Sequence, residues 1–157
     1  MAQITRVAIR LVVALLLAAV VGFQRERTHH AAGLRTHLLV ALGSALFTLV
    51  PIEAGAPVAD VTRVVQGIAA GIGFIGGGVI IKLAEGEQHQ VRGLTTAAGI
   101  WLTAAIGIAA GLGHLGSALV GIFLTWIVLV ALEPVERKLR GEDIHHDSKE
   151  KQRPPVT

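Results

Sequence analysis

Four stretches of this chain carry no Asp, Glu, Lys or Arg over lengths suited to one or two crossings of a bilayer's apolar interior, and that restricts the fold before anything else does. The first is 11–24, extendable back to Ile4 across Arg6 and Arg10. The second, 36–52, has 17 residues, and the third, 64–81, has 18. At about 1.5 Å of rise per residue the third is roughly 27 Å long, against about 30 Å of hydrocarbon. The fourth, 93–132, has 40 residues, too many for one crossing and enough for two. Its turn is expected at Gly111-Leu112-Gly113-His114, where glycines and a histidine interrupt the run. A charge in the bilayer core costs several kcal/mol, so such runs mark where lipid is the solvent. They predict an all-α membrane protein, a bundle of five transmembrane helices near 4–23, 37–56, 63–82, 94–111 and 115–133, forming one domain over 1–133. Reading the first span as a cleaved signal peptide is the alternative. Leu17-Ala18-Ala19-Val20-Val21-Gly22 offers it only a poor small-x-small site.

Composition agrees. Charged residues are 16% and hydrophobic ones 52%, where a soluble domain carries about 25% charged residues. The net charge of +3 and a pI near 10 would suit nucleic acid. The basic residues sit between apolar runs, however, so lipid is the expected partner and nucleic acid is not. The absence of cysteine excludes a disulfide scaffold, thiolate chemistry and cysteine-ligated zinc or iron–sulfur centres. Five spans put the termini on opposite sides. The N-terminal side holds 3 Lys and Arg residues and the other side 11, which places the N-terminus outside and the C-terminus in the cytoplasm. Beyond Pro134 the segment 134–157 is too polar to bury a core and reads as a short cytoplasmic tail expected to be disordered.

Gly33-Leu34-Arg35-Thr36 before the second span is echoed by Gly93-Leu94-Thr95-Thr96 before the fourth, and Arg6-Val7 by Arg63-Val64. A parallel repeat of two helix pairs followed by a fifth helix would produce this pattern. The third span holds Gly67, Gly71, Gly73, Gly76, Gly77 and Gly78, and the pentapeptide Gly-Ile-Ala-Ala-Gly at 67–71 recurs at 107–111. Such GxxxG elements let helix backbones approach closely. Spans three and four are therefore expected to form the tight centre of the bundle, and to serve as the surface for a membrane-protein partner or a second copy. The triple glycine carries a second reading, in which it loosens the helix and bares carbonyls to a cavity. Gly71-x-Gly73-x-x-Gly76 matches a dinucleotide fingerprint only formally, because it lies inside a bilayer-length run with no βαβ context.

Arg6 and Arg10 share a helix face, and Arg10 needs a partner such as Glu53 or Asp60 if it lies below the surface. Those two carboxylates are also the only, weak, candidates for Mg²⁺, which typically takes one or two carboxylates and keeps its waters. No other cofactor is expected. On the opposite side Gln24-Arg25-Glu26-Arg27 leaves the first span. Glu26 is expected to pair with Arg35 or Arg92, and Thr36, Thr95 and Thr96 to cap spans two and four. His29-His30 and His145-His146 are neighbours that do not share a helix face and make poor metal sites. No Ser/His/Asp set, nucleophile elbow or phosphate loop is apparent, so no enzyme activity and no catalytic residue is expected.

Four motifs in order, spread over about residues 5–132, closely resemble the MgtC/SapB family of bacterial membrane proteins. They are Gln24-Arg25-Glu26 with Ala32-Gly33-Leu34-Arg35-Thr36; Asp60-x-x-Arg63; Gly71-Ile72-Gly73-Phe74-Ile75-Gly76-Gly77-Gly78; and Arg92-Gly93-Leu94-Thr95-Thr96-Ala97-Ala98 with Trp101. The resemblance implies an inner-membrane protein of about five spans with a cytoplasmic C-terminus. It also implies a part in survival at low Mg²⁺ and, in pathogens, in life inside host cells. Some members are thought to regulate the rotary ATP synthase or other membrane partners. Well-studied members also carry a small α/β cytoplasmic domain, where this chain has about 25 polar residues. Two functions stand: a regulator that binds a membrane partner, and a transporter or channel for Mg²⁺ or another cation.

Overall fold

The computed structural model describes residues 1–84 and 93–132, and there the chain is five α-helices, with short turns between the first three and between the last two. They are α1 (Ala2–Arg27), α2 (Leu34–Glu53), α3 (Val58–Ala84), α4 (Leu94–Leu112) and α5 (Leu115–Ala131). The first four are long and apolar enough to cross a membrane, and α5, with 17 residues, is a shorter apolar helix. The chain divides into two units, Met1–Thr125 and Trp126–Thr157. The first holds α1 to α4 and α5 as far as Thr125; of the second, the described residues run to Leu132. Residues 85–92, with Arg92, and residues 133–157 lie outside the described residues.

The helix boundaries have local causes. α4 ends where Gly113 adopts φ 84°, a left-handed conformation that glycine enters without a Cβ penalty. The expected turn at 111–114 therefore stands. α2 starts and ends three residues earlier than expected, and α3 starts at Val58, just after Pro57, where proline suits a helix entrance. Pro51 sits in the last turn of α2, close enough to its end that the helix stops at Glu53. α3 runs without interruption through Gly76-Gly77-Gly78, so the triple glycine does not break it. With lipid around it, a helix keeps its hydrogen bonds because no water competes for them.

The packing corrects the expected centre. α4 buries Gly99, Thr103, Gly107, Ala110 and Gly111, and α2 buries His37, Ala41, Ser44, Ala45 and Thr48. A β-carbon at Gly107 would lie 2.9 Å from Ala41 Cα, and one at Gly111 2.9 Å from Ala45 Cα and against Thr48 Oγ1. The seam is thus α4's GxxxG on α2's small-residue face. α1 joins it at Gly22, whose β-carbon would be 2.9 Å from Leu34 Cα. On α3, in contrast, Gly67, Gly71, Gly73, Gly77 and Gly78 have nothing within 4 Å of that position, and only Gly76 touches α4, at 3.3 Å from Ala97 Cβ. A glycine pattern reports the capacity for close approach, not which helix uses it.

Where α3 and α2 diverge, a cleft of about 550 Å³ opens between Leu39, Val40, Gly43, Ser44 and Phe47 on one side and Val64, Gly67, Ile68, Gly71, Ile72 and Ile75 on the other. Ser44 is 3% exposed, and its hydroxyl has no hydrogen-bond partner among the described residues. Large apolar side chains, including Phe47, Phe74 and Trp101, face outward. In water such a surface would drive association; in lipid it is the ordinary surface of a membrane bundle.

Candidate functional site

The polar residues of the first motif gather at the end of the bundle where α1 finishes and α2 and α4 begin. α1 continues to Arg27, so Gln24-Arg25-Glu26 is helical and turns successive side chains to different faces. Glu26 reaches across the turn, and its Oε2 accepts the backbone N–H of Leu34 at 2.9 Å. This satisfies one of the unpaired donors that begin any helix. A β-carbon at Gly33 would collide with the same carboxylate, which gives the Glu26–Gly33–Leu34 combination a single geometric reason. Glu26 therefore locks the first loop through the backbone. It makes no ion pair with Arg35 among the described residues, and Arg92 lies outside them. The expected threonine caps are likewise replaced: the residues before α2 and α4 are Gly33 and Gly93, with no side-chain cap from either.

Arg25 points inward and is 3% exposed. Its Nη1 donates to His30 Nε2 at 2.8 Å, while His30 Nδ1 lies 2.7 Å from Thr28 Oγ1. His30 thus serves the turn. Arg25 also stands near enough to His37 to act on it electrostatically. His37, 1% exposed, sits one turn into α2 with Nδ1 2.7 Å from Thr103 Oγ1 on α4. That hydroxyl in turn donates to the Gly99 carbonyl at 2.8 Å. Gln24 Oε1 is buried with no hydrogen-bond partner among the described residues. A guanidinium and an imidazole are thus buried at one end of an apolar bundle, polar groups that packing alone does not require.

The remaining motif residues are dispersed. Arg35 is exposed and Thr36 half-buried at the start of α2; Gly93 is half-buried, Leu94 and Thr95 are exposed and Thr96 is buried at the start of α4. Gly71, Gly73, Phe74, Gly77 and Gly78 lie on the open side of α3, and Trp101 is exposed on α4. Gly33 and Gly93 precede Leu34 and Leu94 in matching positions, as the repeat anticipates. Their backbones differ, since Gly33 has φ −100° and Gly93 φ 90°.

At the other end Arg10 Nη1 donates to the Gly111 carbonyl at 3.0 Å. A guanidinium at a helix C-terminus meets both an unpaired acceptor and the negative end of the helix dipole. This answers the need for a partner with backbone instead of a carboxylate. Asp60 Oδ1 accepts from Arg63 Nη1 at 3.1 Å, an exposed pair of the kind that contributes up to about 1 kcal/mol. Glu53 lines a cavity of about 250 Å³ with Arg6 and Arg10. Asp60 is thus paired with a guanidinium and Glu53 shares a cavity with two, and among the described residues no group of three His, Cys, Asp or Glu is placed to hold a metal.

His37, Thr103 and the Arg10–Gly111 contact were missed by sequence reasoning. The first two had a signal: each is a polar residue inside an apolar run, and a search for charges passes over both. No sequence signal points Arg10 at Gly111.

Comparison with known proteins places these features. Residues 11–138 match the MgtC family. SrpB of Synechococcus elongatus is 44% identical over 137 residues, which cover 82% of this chain and 75% of SrpB. MgtC of Brucella abortus is 40% identical over 126 residues, 80% of this chain and 51% of that protein. YhiD of Escherichia coli, whose name assigns it provisionally to magnesium transport, is 35% identical over 144 residues, 87% of this chain and 65% of YhiD. This chain thus spans less than two thirds of the latter two. No solved structure matches it.

Proposed function

Because the chain belongs to the MgtC family, we propose that it is an inner-membrane protein that regulates another membrane complex, with the rotary ATP synthase one candidate, in adaptation to low Mg²⁺ or to life inside a host cell. The bundle over 1–133 is oriented with its N-terminus outside, and the tail 134–157 lies in the cytoplasm. That orientation is supported by the excess of basic residues on the side of the first and third loops.

One observation carries the choice of regulator. The cleft between α2 and α3 is apolar, opens sideways to lipid, and has Gly43, Gly67, Gly71 and the nearly buried Ser44 on its walls. A small-residue wall admits the backbone of a partner's transmembrane helix, and a serine supplies one interhelical hydrogen bond. A hydrated cation would find no carboxylate in that lining. The provisional name of YhiD supports the second reading, a Mg²⁺ transporter, with Glu53 and Asp60 as its carboxylates.

Two measurements on reconstituted protein separate them. A regulator passes no saturable Mg²⁺ flux, and a photo-crosslinker at Phe47 joins it to the membrane sector of ATP synthase or another defined complex. Gly71→Leu, which fills the cleft, removes that crosslink. Saturable flux abolished by Asp60→Asn would establish the transporter instead.

A further inference from the structure

The cavity between the start of α1 and the end of α2 has an arrangement of charge that the proposed regulation does not use. Gln3, Arg6 and Arg10 approach it from α1 and Glu53 from α2, with Leu49 and Ile52 as its apolar wall. One Arg10 N–H is held by the Gly111 carbonyl, and a guanidinium has five N–H donors in a fixed fork, so the others remain for a ligand. Arg6 and Glu53 are both exposed. Neither forms an ion pair within 4 Å among the described residues, although both line the same 250 Å³.

These charges select among ligands. A metal cation approaching Glu53 would be repelled by two guanidiniums. A simple anion would be drawn to Arg6 and Arg10 but repelled by Glu53. A molecule with a phosphate and an ammonium a few bonds apart complements both, and an apolar wall beside the charges suits a ligand whose remainder is hydrocarbon. We propose that this cleft is a headgroup site for an ethanolamine phospholipid, with the phosphate on Arg6 and Arg10 and the ammonium on Glu53. Guanidinium–phosphate contacts are charge-assisted and directional, and Gln3 adds an amide at the rim. The lipid would brace the junction of α1, α2 and α4, since Arg10 joins the headgroup to the end of α4.

The test uses the full chain in mild detergent, with retention of phosphatidylethanolamine, phosphatidylglycerol and phosphatidylcholine of identical acyl chains compared by native mass spectrometry. The ethanolamine lipid is expected to be retained about tenfold better than either other lipid, the equivalent of one good charge-assisted contact. Arg6→Gln should lower that retention about tenfold, and Glu53→Gln should erase the preference over phosphatidylglycerol. Both side chains are exposed, so neither substitution empties a packed position, and unchanged helicity by circular dichroism verifies this. Soluble phosphoethanolamine should compete for the site where inorganic phosphate does not, which separates recognition of the whole headgroup from recognition of an anion. Equal retention of the three lipids, a preference that survives Glu53→Gln, or competition by inorganic phosphate alone would overturn the proposal.

Discussion

The His37–Thr103 contact is a side-chain hydrogen bond between α2 and α4, buried where water cannot substitute for either partner. Thr103→Val keeps the shape of the side chain and removes the hydroxyl, leaving Nδ1 of His37 without its partner. The expected loss is about 1 kcal/mol, within the range of interhelical hydrogen bonds in membranes. Reversible unfolding in detergent mixtures measures it, and an unchanged midpoint would show that the contact contributes nothing. Glu26 teaches a different lesson. Its importance was legible, because an acidic residue in a basic loop stands out, but its partner was not, because a backbone N–H leaves no mark in a sequence. The chemistry of the substitution follows from that partner. Glu26→Gln keeps an oxygen that accepts from Leu34, whereas Glu26→Ala removes the cap, at a cost of about 1 kcal/mol. Protease cleavage in the turn after Arg27 should therefore rise in the alanine variant well above the glutamine variant. Equal rates in the two would mean that charge, not the cap, holds the loop.

At the scale of the helix, glycines identical in sequence have opposite surroundings. Gly107 and Gly111 touch the backbone of α2, while Gly67 and Gly71 face an open cleft. Leucine at 107 or 111 must push α2 away, and overpacking of this kind costs about 1–3 kcal/mol or more, so Gly107→Leu and Gly111→Leu should sharply lower accumulation in the membrane. Gly71→Leu and Gly77→Leu should accumulate normally, which reverses the expectation that spans three and four form the tight centre. Immunoblots of membrane fractions decide it, and loss of the α3 variants with survival of the α4 variants would refute the packing described here. The helices and the turn at Gly113 were legible because hydrophobic length and glycine punctuation are local properties. The pairing was not, since a small-residue stripe is equally compatible with any neighbour. The same limit hid the first site: Arg25 and Glu26 were visible as a motif, but the capping of Leu34 by Glu26 and the burial of Arg25 depend on where α2 lies.

For the molecule as a whole, one unequal distribution organises the rest. Buried Arg25 and His37 and the Glu26–Leu34 cap lie where α1 ends and α2 begins, while Arg6, Arg10, Glu53 and Asp60 mark the opposite end. Between the two lies an apolar body whose outward phenylalanines and tryptophan require lipid. If the first end faces the cytoplasm, the Arg25–His37 core adjoins the loops through which a regulator would act, and the Arg6–Glu53 cleft meets the headgroups of the outer leaflet. The absence of cysteine makes the decisive measurement simple, because any cysteine introduced is the sole thiol. Ala2→Cys should react with a membrane-impermeant maleimide on intact cells, and Val156→Cys should react only after the membrane is opened. Labelling of Val156→Cys from outside, protection of Ala2→Cys, or recovery of the chain in the soluble fraction without detergent would contradict the account.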